Sequence, residues 1–168
     1  MKYHNITHDD MLNGDGIRVV LWVSGCTHKC KGCQNPMTWN PDDGKEFGSD
    51  ELKEICTELS KDYVAGITFS GGDPLHPQNF MTIETLICYI KKQFPHKTIW
   101  LYTGYTWEEI MEDKELTEVV KDVDVLVDGR FNESLFDSAC HWIGSKNQRI
   151  INAKESMKKG KVIFHESN

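Results

Sequence analysis

Apolar and polar positions alternate along the chain in two rhythms. Ile17 to Val23 (Ile-Arg-Val-Val-Leu-Trp-Val) is rich in β-branched and aromatic residues and predicts a buried strand. Residues 26–48 then carry many Gly, Pro, Asn and Asp and predict a long loop. Ser49 is placed to cap a helix, with Asp50 and Glu51 in its first turn and Leu52, Ile55, Cys56 and Leu59 at helical spacing. A short strand is expected at 66–69, leading into Ser70-Gly71-Gly72-Asp73-Pro74. Phe80, Ile83, Leu86, Ile87 and Ile90 mark an amphipathic helix. Further elements are expected as a strand at 98–102, a helix at 107–112 capped by Thr106, a helix at 115–121, a strand at 123–127, and weaker strands at 150–151 and 162–164. The order β-α-β-α-β-α-β predicts an α/β protein with a parallel sheet. The loops at 24–40, 70–76, 103–105 and 128–132 each follow a strand, so they are expected to converge on the face where such sheets bind ligands.

Composition narrows the class. The chain has 168 residues, 39% hydrophobic and 27% charged, which suits one compact domain spanning 1–168. Nineteen basic against twenty-six acidic residues give a net charge of −7, a poor basis for gripping nucleic acid. The longest purely apolar run, Val19 to Val23, is far shorter than the ~20 residues of a membrane span. The N-terminus carries no apolar signal region, so a cytoplasmic location is expected, with no membrane partner.

Cysteines supply the chemistry. They stand at 26, 30, 33, 56, 88 and 140, and the first three form Cys26-Thr27-His28-Lys29-Cys30-Lys31-Gly32-Cys33, a C-x3-C-x2-C loop. Three thiolates on one tight loop suit an iron–sulfur cluster with one iron left open. With His28 or another histidine they equally suit a closed Cys3His zinc site. Gly71-Gly72 at a strand end offers backbone groups to a ligand, or makes a plain tight turn. Asp128-Gly129 and Thr103-Gly104 carry the same two readings. Cys56 and Cys88 fall on helical apolar stripes and read as small core hydrophobes, while Cys140 lies in a loop with its role open. Trp22 and Trp100 read as strand packing. His4 and His8, ahead of the first expected strand, read as non-ligands.

Taken together, the C-x3-C-x2-C loop after the first strand and Gly-Gly-Asp after the second resemble the two hallmark motifs of the radical S-adenosylmethionine (SAM) superfamily. The stretch from Asn13-Gly14-Asp15-Gly16-Ile17-Arg18 to Ser24-Gly25-Cys26 is similar to the N-terminal segment of glycyl-radical activating enzymes. Cys33-Gln34-Asn35-Pro36 with Thr38-Trp39, Val125 to Phe131, and Gly144 to Ile150 look most like the small activases of anaerobic (class III) ribonucleotide reductase. The resemblance covers roughly residues 3–152. It departs at Gly32 and Gln34, which flank the third cysteine where such relatives often carry an aromatic.

The resemblance implies a parallel-stranded partial (β/α)6 barrel as a single compact domain. It implies one 4Fe–4S cluster per chain on Cys26, Cys30 and Cys33, with SAM chelating the fourth iron. Ser70, Gly71, Gly72 and Asp73 would contact the methionine amino end, Thr103 would approach the ribose, and Asp128 and Arg130 would make polar SAM contacts. No catalytic side chain is implied beyond the cluster and SAM site. Gln148 and Arg149 would serve the partner's glycine loop or the end of the sheet. The implied reaction is reductive cleavage of SAM to a 5′-deoxyadenosyl radical, which takes a hydrogen atom from a glycine of the large reductase subunit, with an electron donor such as flavodoxin. The alternatives are an activase of the pyruvate formate-lyase type and a non-catalytic iron–sulfur electron carrier.

Overall fold

The computed structural model describes residues 1–166; the last two positions of the expected 1–168 domain lie outside the described residues. In chain order the elements are β1 (Lys2–Asp10), β2 (Ile17–Val23), β3 (Lys45–Glu46), α1 (Ser49–Leu59), β4 (Val64–Gly71), α2 (Phe80–Gln93) and β5 (Thr98–Tyr102). They continue with α3 (Trp107–Glu112), α4 (Lys114–Val120), β6 (Val125–Asp128), β7 (Arg149–Asn152) and α5 (Ala153–Lys159).

Local chemistry sets the helix starts. Thr106 Oγ1 accepts the Glu109 N–H while the Glu109 carboxylate accepts the Thr106 N–H, a reciprocal cap that opens α3. Asp113 caps α4 through the N–H groups of Glu115 and Leu116. At α1 the cap is Gly48 rather than Ser49: its N–H donates to Glu51 at 2.8 Å, and Ser49 already belongs to the helix.

The strands form one sheet in the order β3-β1-β2-β4-β5-β6-β7. The central neighbours β2, β4, β5 and β6 run parallel, joined by α1, by α2 and by the α3–α4 pair. β1 pairs antiparallel with β2 and β3, and β7 antiparallel with β6. The expected parallel-stranded partial (β/α)6 barrel is therefore corrected to an open, mixed seven-stranded sheet with β3 and β7 at its edges. The physical reason lies in the connections. A parallel crossover spans a dozen or more residues and usually carries a helix. The segment between β6 and β7 holds only the 3-10 turn Glu133–Leu135, and the chain returns antiparallel. β1 escapes the sequence pattern because its residues are mostly polar and half-exposed. Of the weak strand at 162–164, the structure keeps a single bridge, Phe164 to Ile151.

Strand alternation assigns the two faces. Val19, Leu21, Ile67, Phe69, Ile99 and Leu101 point into the main core with α1 to α4. The opposite face carries Arg18, Thr68 and Trp100, with Trp142 and Ile143 packed over Trp100. Arg18 is fully buried, and among the described residues it has no carboxylate partner. Its guanidinium donates to Thr68 Oγ1, Thr98 Oγ1 and the carbonyls of Asp15, Ile67 and Thr98, at 2.8–3.0 Å, and lies 5.5 Å from the Trp100 ring. Burial lowers its pKa to about 10, so it remains charged at neutral pH.

Arg18→Ala leaves these acceptors unsatisfied around a void. The expected loss is about 3 kcal/mol of unfolding free energy with an unchanged urea m-value, measured by denaturation of the metal-free protein.

Candidate functional site

The cysteine loop leaves β2 and is closed at its base by returning chain. Gly25 N–H donates to Thr38 O at 2.7 Å and Cys26 N–H to Trp39 O at 3.1 Å, just beyond the 3-10 turn Pro36–Thr38. Cys33 N–H donates to Cys30 O at 3.1 Å and tightens the far end. The three thiols are half-buried. Cys33 Sγ accepts the Asn35 N–H at 3.4 Å. Burial pushes the Cys26 thiol up to about 11, with the nearby Asp73 charge adding to it, and burial raises Cys30 as well. A thiolate here needs a cation.

All three cysteines line one cavity of about 470 Å³, within the range of small-molecule and cofactor sites. Half-buried thiols on one loop, with the Asn35 N–H directed at Cys33 Sγ, fit an iron–sulfur cluster. Among the described residues, no three His, Cys, Asp or Glu side chains converge on a single-ion position. His28, the nearest candidate for a Cys3His set, is held by Asp73 and Arg130 instead.

The end of β4 forms the wall facing the loop. Gly72 N–H donates to Val23 O at 2.8 Å and Asp73 N–H to Gly25 O at 2.7 Å, so β4 is zipped to the chain entering the cysteine loop. A Cβ on Gly72 would stand 2.5 Å from Gly25 O, which explains the glycine. Asp73, only 2% exposed, has its carboxylate occupied by four donors: Leu75 N–H at 2.8 Å, Thr103 Oγ1 at 3.0 Å, Gly104 N–H at 3.0 Å and the His28 ring at 2.8 Å.

The structure thus brings Cys26, Cys30, Cys33, Ser70, Gly71, Gly72, Asp73 and Thr103 to one cavity. Asp128 and Arg130 instead line an adjoining groove of about 700 Å³, which shares Gly129 and Phe131 with the cavity. Asp128 is fully buried, accepting from Arg149 and from the Trp107 N–H at 2.7 Å. Arg130 donates to Glu109 and to His28 Nδ1, both at 3.1 Å. Gln148 ties the strand end together, accepting from Gly144 N–H at 2.9 Å and donating to Gly129 O at 3.0 Å.

Four cavity residues carry roles that the sequence pattern does not show. Trp39 Nε1 and Tyr102 OH are buried and have no hydrogen-bond partner among the described residues, and both residues line the cavity. Tyr102 shares its strand phase with Trp100, a signal that it leaves the helix-covered core. Cys140 also lines the cavity. Trp22 does too, with its indole N–H on Thr7 at 3.0 Å. Cys88 is exposed rather than core, lying on the side of α2 away from the sheet, while Cys56 is half-buried.

A thiol-lined cavity at the carboxyl ends of parallel strands defines a single-cluster iron–sulfur protein, and a profile of the 4Fe-4S single cluster domain family matches residues 12–151. The chain is 47% identical over 150 residues to the anaerobic ribonucleoside-triphosphate reductase-activating protein of Enterobacteria phage T4, covering 89% of this chain and 93% of that one. It is 42% identical over 152 residues to the protein of the same name from Salmonella typhi, and 41% over 152 residues to that of Escherichia coli K12, covering 89% of this chain and 97% of each relative. The chain belongs to the family of anaerobic ribonucleoside-triphosphate reductase-activating proteins. No helix among the described residues is long and apolar enough to cross a membrane.

Two outcomes follow from the cavity wall. Tyr102→Phe removes an unpartnered buried hydroxyl, so the ligand-free protein should hold or gain stability, by up to about 1 kcal/mol in urea titration. The same change should weaken any ligand that satisfies the hydroxyl. In metal-free protein, iodoacetamide should alkylate Cys26 about a hundredfold more slowly at pH 8 than a thiol with pKa 9, because its pKa is about 11. The rate should climb roughly tenfold per pH unit until that value is reached, as peptide mass spectrometry would record.

Proposed function

We propose that this chain activates an anaerobic ribonucleotide reductase by SAM-dependent radical chemistry, with Cys26, Cys30 and Cys33 holding the 4Fe–4S cluster. The observation that carries this reading is the single cavity shared by the three half-buried thiols and the Ser70–Asp73 strand end. Cys26, Cys30 and Cys33 would hold the cluster, which when bound would supply the electron for reductive cleavage of SAM, the chemistry by which a hydrogen atom would be taken from a glycine of the reductase large subunit.

The chain's own residues bind, orient and shield. Ser70, Gly71 and Gly72 offer backbone groups to the amino end of SAM, and Asp73 holds that turn from beneath, since its carboxylate already serves four protein donors. Thr103 closes the same wall. Trp39 and Tyr102 each present an unpartnered polar atom suited to a polar ligand. Asp128 and Arg130, in the adjoining groove, frame the β6 side. The Arg130 guanidinium, whose Nε and one terminal nitrogen already donate to His28 and Glu109, suits the SAM carboxylate by its charge. Aromatic residues around the cavity keep water from a reactive carbon radical. A flavodoxin serves as electron donor in this reading, and residues 1–168 act as one catalytic unit in the cytoplasm.

Anaerobically reconstituted protein given dithionite and SAM should release methionine and 5′-deoxyadenosine, quantified by chromatography. Cys30→Ala should abolish the release. Adding the reductase large subunit should produce a glycyl-radical EPR signal. A full iron load without SAM cleavage would sink the catalytic reading in favour of electron transfer.

A further inference from the structure

We propose that His28, the residue midway between the first two cysteines, is the positioning residue that sets the shape of the cysteine loop, by keying it into three other strand ends at once. The functional meaning rests on the reading above, in which this loop holds the cluster; the geometry does not.

The His28 side chain is 5% exposed. Its Nδ1 accepts from Arg130 Nε at 3.1 Å. A guanidinium donates and never accepts, so Nδ1 carries the lone pair and Nε2 carries the proton. Nε2–H therefore donates to Asp73 Oδ2 at 2.8 Å. One imidazole thus links the loop after β2 to the loop after β4 through Asp73 and to the loop after β6 through Arg130. The third link is steric. The ring packs edge-on against Tyr105 with centroids 4.7 Å apart, and a Cβ on Gly104 would lie 2.3 Å from it. The loop after β5 can approach only because residue 104 has no side chain.

Alternatives within the loop are weaker. Lys29 and Lys31 are both exposed, and Lys31 pairs with Glu133. Thr27 is exposed. Within the loop His28 alone joins two charged partners, the buried Asp73 and the exposed Arg130, and it does so from between Cys26 and Cys30. Its hydrogen bonds orient the loop in the way that outer contacts orient metal ligands elsewhere, here through the backbone rather than through a ligand side chain.

The test uses four variants of the full chain: His28→Ala, His28→Gln, His28→Phe and Gly104→Ala. A carboxamide offers one acceptor and a donor, as the imidazole does; a phenyl ring fills the space and offers neither. In cluster-free protein, hydrogen exchange of the amides at 26–34 should quicken about tenfold in His28→Ala and in His28→Phe. His28→Gln should return it to within about twofold of the parent. Gly104→Ala, which displaces the ring without removing it, should also quicken it. In cluster-loaded protein, the SAM-induced change in the EPR spectrum of the reduced cluster should require about tenfold more SAM in His28→Ala than in His28→Gln.

Parent-like exchange at 26–34 in His28→Ala, or rescue by Phe and not by Gln, would overturn the proposal by reducing His28 to packing. If His28→Ala fails to fold, the contrast of Gln with Phe and the Gly104→Ala result decide the matter. The exchange measurement needs neither cluster nor SAM. A parent protein that does not cleave SAM therefore defeats the proposed function while leaving this inference standing, and the reverse also holds.

Discussion

A carboxylate buried to 2% exposure must be met by donors, and at Asp73 those donors come from the cysteine loop, from its own turn and from the end of β5. The cost of leaving it unmet keeps these segments in register. An open sheet has no barrel closure to hold its strand-end loops together, and this buried acceptor supplies the missing constraint. The Gly72 and Asp73 N–H bonds to Val23 and Gly25 draw the same strand ends together through the backbone. The candidate cavity is the space left in front of this junction.

Beneath the junction the sheet has two unlike faces. One is an apolar face packed against the helices, with Ala153 and Met157 of α5 joining those of α1 to α4. The other carries Arg18, whose charge is solvated by hydroxyls and carbonyls instead of a carboxylate. That choice accounts for the Asn13 to Arg18 stretch. Thr68 Oγ1 donates to Asn13 O, and Asp15 O accepts from Arg18, so the turn before β2 is built around the guanidinium. Trp100 and Tyr102 extend the same face toward the cavity. The buried polar floor and the aromatic wall are therefore one continuous surface, produced by the even phase of the strands.

The central strands and most helices were legible in the sequence because β-branched runs and 3.6-residue periodicity report burial directly. β1 was not legible, since a mostly polar, half-exposed strand carries no apolar run; it exists because β2 and β3 offer it partners. β7 was expected, but its direction was not, since nothing in Ile150-Ile151 says whether the chain arrives by a crossover or by a return. Among the residues lining the cavity, the cysteines and Gly71-Gly72-Asp73 were visible from spacing. The role of Asp73 was not, because its four donors are scattered from 28 to 104. Tyr102 and Trp39 were missed because an unpartnered hydroxyl or indole N–H is a property of surroundings, not of residue type.

By itself, then, the sequence determined the parallel core, the thiol loop and the chemistry available to it, because those depend on neighbours a few residues apart. The tertiary structure decided that the sheet stays open, that Asp128 and Arg130 lie in an adjoining groove, and that His28 joins Asp73 to Arg130. Those outcomes depend on which groups, up to about a hundred residues apart, find buried hydrogen-bond partners, and local pattern holds no record of that.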